Sequence, residues 1–305
     1  MIVQDPVKEI IKRLDKITAA GVRPPEVFRD WIDLTEATLE QIPAHAKSLA
    51  ETGQMAEDPD EMKALWDRLR KKYGRYDRAT YYFNLFAEAF ALLIDSNWRY
   101  YDTLGDVYMQ FAYPKPGSGQ FFTPYNVASM MARMMLLGIE KQIHQRIIEA
   151  AKRDPVSGSM VLASLMIDDP QEAEKWLVQR IVPAVLAARD ESGRPIFEPF
   201  SICDPACGSG VMFIAAAEVL NEVLPGWMLG LGLVRFYGMD IDLNCVKMAR
   251  INCAIYGLND WGIKWALAAS EVEAASMPYY GETYVQAQAA HQAGDQKTVE
   301  QLKAE

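Results

Sequence analysis

Ser201-Ile202-Cys203-Asp204-Pro205-Ala206-Cys207-Gly208-Ser209-Gly210, running straight into Val211-Met212-Phe213-Ile214-Ala215-Ala216-Ala217, is the stretch that decides the fold of this chain. The residues up to Asp204 read as a buried strand end, the two glycines as a tight turn, and the run from Val211 as a helix whose N-terminus faces the turn. A strand–turn–helix unit of this kind holds a nucleoside-type cofactor. Glycine lets backbone approach a ligand where a Cβ would clash, and a helix start offers N–H groups without an intrahelical partner. A dinucleotide fingerprint needs a third glycine where this chain has Phe213, which argues against NAD or FAD. A phosphate-cradling loop needs Gly-Lys-Ser/Thr, and Gly210 is followed by Val211. Asp204 places a negative charge ahead of the glycines, which suits an amine or a sulfonium better than a phosphate.

Downstream, Val234-Arg235-Phe236-Tyr237-Gly238-Met239-Asp240 reads as the next strand and ends in an acid. In a doubly wound sheet that position lies beside the first glycine turn, where a carboxylate accepts hydrogen bonds from ribose hydroxyls. The residues from Pro225 to Gly232 read as a loop. A helix carrying Val246, Ala249, Ile251 and Ala254 follows Asp240 and ends near Gly257. Residues 200–257 therefore read as a βαβα unit, and the fold class as α/β. Upstream, Pro114 to Gly119 reads as a loop, Thr123 as an N-cap and Pro124 as the first helical residue. Val127, Met130, Met131, Met134 and Met135 then form an apolar stripe at helical spacing. Phe121 and Phe122 sit at the loop–helix junction, where a ring can stack on an adenine or lie on a methionine chain.

Asp-Pro-Ala-Cys-Gly-Ser-Gly at 204–210 resembles the S-adenosylmethionine motif of the N6-adenine DNA methyltransferases, and most closely that of the modification subunit of type I restriction–modification systems. Gly119-Gln120-Phe121-Phe122-Thr123-Pro124-Tyr125-Asn126-Val127-Ala128 resembles the family's segment lying over the cofactor. Thr103-Leu104-Gly105-Asp106-Val107-Tyr108 resembles the helix before it, and Asp240-Ile241-Asp242 falls where the family keeps its ribose-binding acid. The resemblance covers residues 98–258 with a long interruption. It implies a Rossmann-like methyltransferase core that binds S-adenosylmethionine. Asp204, Ala206, Gly208 and Gly210 would surround the methionine end, Asp240 would hold the ribose, and Phe121, Phe122 and Thr123 would cover the cofactor.

The family's catalytic Asn/Asp-Pro-Pro-Tyr/Phe motif, which holds a flipped adenine, occurs nowhere in the chain. The nearest string, Ser276-Met277-Pro278-Tyr279, has two of four residues wrong and is preceded by Glu271 to Ala275, which does not read as a strand. Three strands can be placed, near 200–204, 234–240 and 262–268, where the family's sheet has seven. The expected sheet is thus incomplete, with an uncovered edge on the first strand. A truncated methyltransferase, a partner that completes the sheet, or a divergent C-terminus that covers it would each account for this.

The 305 residues, half of them hydrophobic, allow two domains and a sizeable core. A formal charge of −10 argues against unaided tight DNA binding. Arg68-Leu69-Arg70-Lys71-Lys72-Tyr73-Gly74-Arg75 is a local basic run that a solvated helix face explains as well as a DNA contact does. Cys203, Cys207, Cys245 and Cys253 show no Cys-x-x-Cys pair, and with three histidines the chain offers no metal-ligand pattern. Buried thiols, no signal peptide and no membrane-length apolar run point to a cytoplasmic protein. Residues 1–112 read as a helical domain, with Val7, Ile10, Ile11, Leu14 and Ile17 on one stripe and a break at Gly21–Pro25. The aromatic residues of 79–112 have helical spacing and read as core rather than as base-stacking platforms. Residues 113–270 read as the cofactor domain with a helical insertion at 136–198, turning at Asp154–Gly158 and Asp190–Pro195. Residues 271–305 read as a polar helical or disordered tail.

Two functions follow from these expectations. The first is an S-adenosylmethionine-dependent DNA adenine-N6 methyltransferase whose catalytic part is degenerate or supplied by a partner. The second is a non-catalytic S-adenosylmethionine-binding or scaffold subunit of a DNA-modification complex. Both imply DNA, bound weakly or through a partner subunit, and a protein partner that completes the sheet or gives sequence specificity, and neither a metal nor a membrane.

Overall fold

The computed structural model describes residues 5–74, 79–97, 99–113, 121–224, 229 and 232–259. The N-terminal part is helical. α1 (Pro6–Thr18) starts where the Asp5 carboxylate accepts the Lys8 N–H at 3.1 Å, and it buries Val7, Ile10, Leu14 and Ile17 on one face. α2 (Pro24–Thr52) opens on two prolines and ends at Gly53, whose φ of 72° takes the left-handed cap conformation. α3 (Asp60–Tyr73) lies on α2, and α4 (Ala79–Asp95) lies on α1. α5 (Thr103–Val107) continues as a π-helical turn, Tyr108–Ala112.

Phe28, Trp31, Tyr73, Tyr82 and Phe86 are buried together in this helical core. The basic run is drawn into ion pairs with α2. Arg68 meets Asp33 at 2.7 Å, and Lys72 meets the buried Asp30 at 2.6 Å beside the Tyr73 hydroxyl.

The second core is built on a parallel pair of strands. β1 (Phe200–Asp204) and β2 (Val234–Gly238) run in register from Phe200 opposite Val234 to Asp204 opposite Gly238. A right-handed crossover through a helix is the usual route between parallel neighbours, and α11 (Val211–Val223) lies on that connection. Before β1 come α6 (Tyr125–Met135), α7 (Ile139–Arg153), α8 (Pro155–Ser164) and α9 (Pro170–Trp176). A π-helical turn (Leu177–Ile181) and α10 (Val182–Ala187) complete the helices of the interruption. α12 (Leu243–Ile255) follows β2 and serves both cores. Its Cys245, Met248, Ile251 and Ala254 pack into the N-terminal core, and its Ala249 and Cys253 into the second. No helix among the described residues is long and apolar enough to cross a membrane. The expected strand at 262–268 and the string Ser276–Tyr279 lie outside the described residues.

Four local expectations need correction. Thr123 does not cap α6: the helix begins at Tyr125, with Pro124 in the capping position and no side-chain cap bond. The methionine stripe is not the packed face. Met130, Met131, Met134 and Met135 are exposed, whereas Ala128 and Ala132 are buried against α11. Small side chains at i and i+4 let the two helix axes approach closely. Arg133 then locks the pair with two 2.6 Å bonds to Glu222. Asp154-Pro155 opens α8 rather than a turn, because the Asp154 carboxylate accepts the Ser157 N–H at 2.7 Å. Finally, in β1 Phe200 and Ile202 pack on the second core while Ser201 and Cys203 are exposed, so Cys203 is not a buried thiol.

The α6–α11 seam gives a direct test. Ala132→Leu should cost about 1–3 kcal/mol by overpacking, whereas Met134→Ala, at a residue 74% exposed, should stay within about 0.5 kcal/mol of the parent. Urea denaturation of both variants measures this.

Candidate functional site

The parallel register sets the C-terminal ends of β1 and β2 side by side, and the backbone ladder continues past them. Met239 N–H donates to the Asp204 carbonyl at 3.0 Å, and Cys207 N–H donates to the Met239 carbonyl at 2.9 Å. The Asp204 carboxylate folds back to accept the Ala206 N–H at 3.0 Å, which bends the chain out of the strand. Gly208 and Gly210 then take φ values of 53° and 87°, and Gly210 caps α11. A Cβ on Gly210 would lie 3.2 Å from the Ala249 backbone, so the glycine also lets α12 come close.

Asp240 closes the turn from the β2 side. One carboxylate oxygen accepts the Gly208 N–H at 3.0 Å and the other accepts the Asp242 N–H at 2.9 Å. Each oxygen keeps a further acceptor direction. Asp242 caps α12 through the Asn244 N–H at 2.9 Å and accepts the Tyr108 hydroxyl at 3.2 Å. Tyr108 stacks on Phe122, with ring centroids 5.5 Å apart and planes 19° apart. Phe122 in turn lies over Gly208, where an added Cβ would meet the ring edge at 3.3 Å. Two segments far apart in sequence, Phe122 and Asp240, thus meet on one glycine.

Of the residues singled out in the sequence, Asp204, Ala206, Gly208, Gly210, Asp240 and Phe122 are gathered at this turn. Thr123 lines a neighbouring cleft of about 190 Å³ together with Asp102, Gly105, Asp106, Phe122 and Tyr125. Phe121 is 81% exposed.

Sequence reasoning passed over several residues that shape the site. Asp102, buried at 6% exposure, accepts the Gly105 N–H at 2.9 Å, the Asn252 side-chain amide at 3.2 Å and the Ser209 hydroxyl. Its one sequence signal is an aspartate set ahead of Thr103-Leu104-Gly105, the pattern of a helix N-cap. Asp106 accepts the Tyr101 hydroxyl at 2.5 Å in the cleft. Ile241, next to Asp240, is fully exposed and offers an apolar surface beside the carboxylate.

Asp102 and Asp106 line the cleft, Asp204, Asp240 and Asp242 belong to the adjoining turn, and among the described residues that line the cleft there is no lysine or arginine; the Arg99 guanidinium lies 5.0 Å from the ring of Tyr101 at its wall. Burial, with the Asp240 and Asp204 charges added to it, pushes the Cys207 thiol up to about 11. The hydrogen bond to Asp106, with burial second, pushes the Tyr101 hydroxyl up to about 12. Burial also raises the Asp102 carboxyl above the usual carboxylate range. Such a field favours a cationic ligand group and opposes an unpaired phosphate. Among the described residues no cluster of His, Cys, Asp and Glu has metal-holding geometry.

Two outcomes are expected from this geometry. Gly208→Ala should cost about 1–2 kcal/mol in urea stability, since it strains a left-handed residue and pushes on the Phe122 ring. With iodoacetamide at pH 8, Cys203 should be alkylated well before Cys207, because a thiol near 11 is only about 0.1% thiolate there. Peptide mass spectrometry over a time course reads both rates, and equal labelling would contradict the placement of Cys207.

Residues 169–278 match the model of the N-6 DNA Methylase family. The match takes in β1, the glycine turn, α11, β2, Asp240 and α12. No curated protein and no solved structure matches the chain. Asp102, Phe121, Phe122 and Thr123 fall outside the matched residues, and the fold brings Asp102 and Phe122 to the turn. An N-6 DNA methylase domain is therefore present over residues 169–278.

Proposed function

We propose that this chain binds S-adenosylmethionine at the 204–210 turn and serves as the cofactor-holding part of a DNA adenine-N6 methyltransferase, with the base-holding residues supplied by a partner. In this reading residues 113–270 form a Rossmann-like cofactor unit, behind the helical residues 1–112. One observation carries the proposal: Phe122, from before the helical interruption, and Asp240, from the end of the next strand, converge on Gly208. A glycine turn by itself is common; a turn with an acid at the next strand end and an aromatic cover suits a nucleoside ligand that continues into a short methylene chain with a charged end.

The residues present fit this cofactor. Asp240 has acceptor capacity left for two ribose hydroxyls. Ile241 and Phe122 offer apolar surface for the adenine and the aliphatic tail. Asp106 and Thr123 line the cleft in which the charged amino-acid end would sit, and the acidic surroundings suit both its ammonium and the sulfonium. When bound, S-adenosylmethionine supplies an activated methyl group for in-line attack by an amine. The chain's own part is to hold the cofactor fixed and to keep water from its sulfur side through the Phe122–Tyr108 stack.

The family holds the adenine with an Asn/Asp-Pro-Pro-Tyr/Phe tetrad, and the sequence contains no such tetrad. With a formal charge of −10, contact with DNA also falls to a partner. The same two facts favour a second reading, a non-catalytic S-adenosylmethionine-binding or scaffold subunit.

Calorimetric titration with S-adenosylmethionine tests the cofactor site. Saturable one-to-one binding is expected, weakened about 10- to 100-fold in Asp240→Ala by loss of charge-assisted hydrogen bonds. No binding by the folded parent would remove the proposal. Transfer of labelled methyl to adenine in DNA, with a co-purified partner present, separates the two readings: incorporation supports the enzyme, and binding without incorporation supports the scaffold.

A further inference from the structure

Ser209 stands between two glycines that both take positive φ, 53° at Gly208 and 87° at Gly210. Glycine has the most conformational freedom to lose, so such a turn holds one shape only if something outside it fixes the middle residue. Here the hydroxyl and the carbonyl of Ser209 are both held by side chains from outside the turn. Its hydroxyl donates to the Asp102 carboxylate, and its carbonyl accepts the Asn252 side-chain amide at 2.8 Å. The same amide reaches Asp102 at 3.2 Å, which closes a triangle of three buried residues, Ser209 at 1%, Asn252 at 3% and Asp102 at 6% exposure.

Asp102 is itself held in place. It caps α5 through the Gly105 N–H at 2.9 Å. The Tyr256 hydroxyl, just past α12, stitches the preceding segment by accepting the Tyr101 N–H at 3.2 Å and lying 2.9 Å from the Tyr101 carbonyl. Gly105 is part of the device. A Cβ there would collide with the Asp102 carboxylate and would sit 2.8 Å from the Ser209 hydroxyl, so only glycine lets α5 approach the turn this closely.

We infer that Asp102 is a positioning residue for the cofactor turn: acting through Ser209 and Asn252, it holds Gly208-Ser209-Gly210 in one shape and makes ligand affinity at the turn depend on the helical N-terminal part of the chain. The link to affinity rests on the reading of the turn as an S-adenosylmethionine site; the link to turn rigidity does not. An asparagine at 102 reproduces the pattern, since its oxygen accepts from Gly105 and Asn252 and its amide donates to the Ser209 hydroxyl. An alanine leaves three buried donors without an acceptor.

The experiment uses the full chain and three variants, Asp102→Ala, Asp102→Asn and Ser209→Ala, with S-adenosylhomocysteine as the probe. Amide hydrogen exchange across residues 205–211 is read by mass spectrometry, and binding by calorimetry. Asp102→Ala and Ser209→Ala should each speed exchange and weaken binding by about tenfold or more, while Asp102→Asn, which keeps the hydrogen-bond pattern but removes a charge from the cleft wall, stays within about threefold of the parent in exchange. Ser209→Ala removes a single hydroxyl and keeps the test valid should Asp102→Ala fail to fold. Parent-like exchange and binding in Ser209→Ala and any folded Asp102→Ala overturn the inference, as does an asparagine variant whose turn exchanges as fast as the alanine's. If the parent binds no probe, the cofactor reading falls and with it the link to affinity. Exchange alone then decides the clamp: faster exchange upholds it and unchanged exchange overturns it.

Discussion

The hydrogen bond from Gly208 N–H to the Asp240 carboxylate, 3.0 Å long, is the contact on which the site depends. It joins the turn after β1 to the residue that leaves β2, and it forms because the strands are parallel and end level with each other. From Asp240 the structure builds outward in short steps. The carboxylate orders Asp242, Asp242 caps α12 and takes the Tyr108 hydroxyl, and Tyr108 supports the ring of Phe122 over the turn. A ligand between Asp240 and Phe122 would therefore touch groups already positioned by one another, which reduces the ordering cost of binding.

α12 explains why the two hydrophobic cores act as one framework. Its Cys245, Met248 and Ile251 are buried among the N-terminal helices, and its Ala249 is buried beside Gly210. Asn252 on the same helix reaches both Asp102 and Ser209. Ion pairs repeat the theme at the surface, where Lys247 meets Asp33 and Arg250 meets Glu36 at 2.9 Å. Exposed pairs of this kind add little energy, but the half-buried Lys247–Asp33 pair fixes orientation. The glycine turn thus sits where a helical body and a strand pair share a helix.

What the sequence made legible was local. The glycines, the strand-end acid and the apolar runs of β1 and β2 each announce themselves within about ten residues, and Asp204, Gly208, Gly210 and Asp240 were found that way. α6 shows where the pattern fails. It carries apolar residues on both faces, so spacing alone gave no reason to bury Ala128 and Ala132 and expose Met130 and Met134; the choice belongs to α11, which accepts only small side chains at close approach. Cys203 was misplaced because strand burial depends on what covers each face. Asp102 and Asn252 were missed for a related reason: each is an unremarkable polar residue until folding sets it against Ser209.

The family match covers the turn and both strands but stops short of Phe122 and Asp102, which the proposed cofactor site joins to the turn. A crystal structure of the chain with S-adenosylhomocysteine tests it most directly. The account predicts ribose hydroxyls on the Asp240 carboxylate, the thioether beneath Phe122 at the Gly208 turn, and the amino-acid end in the cleft beside Thr123 and Asp106. A ligand seated away from Gly208, or bound there with Phe122 displaced and making no contact, would contradict it.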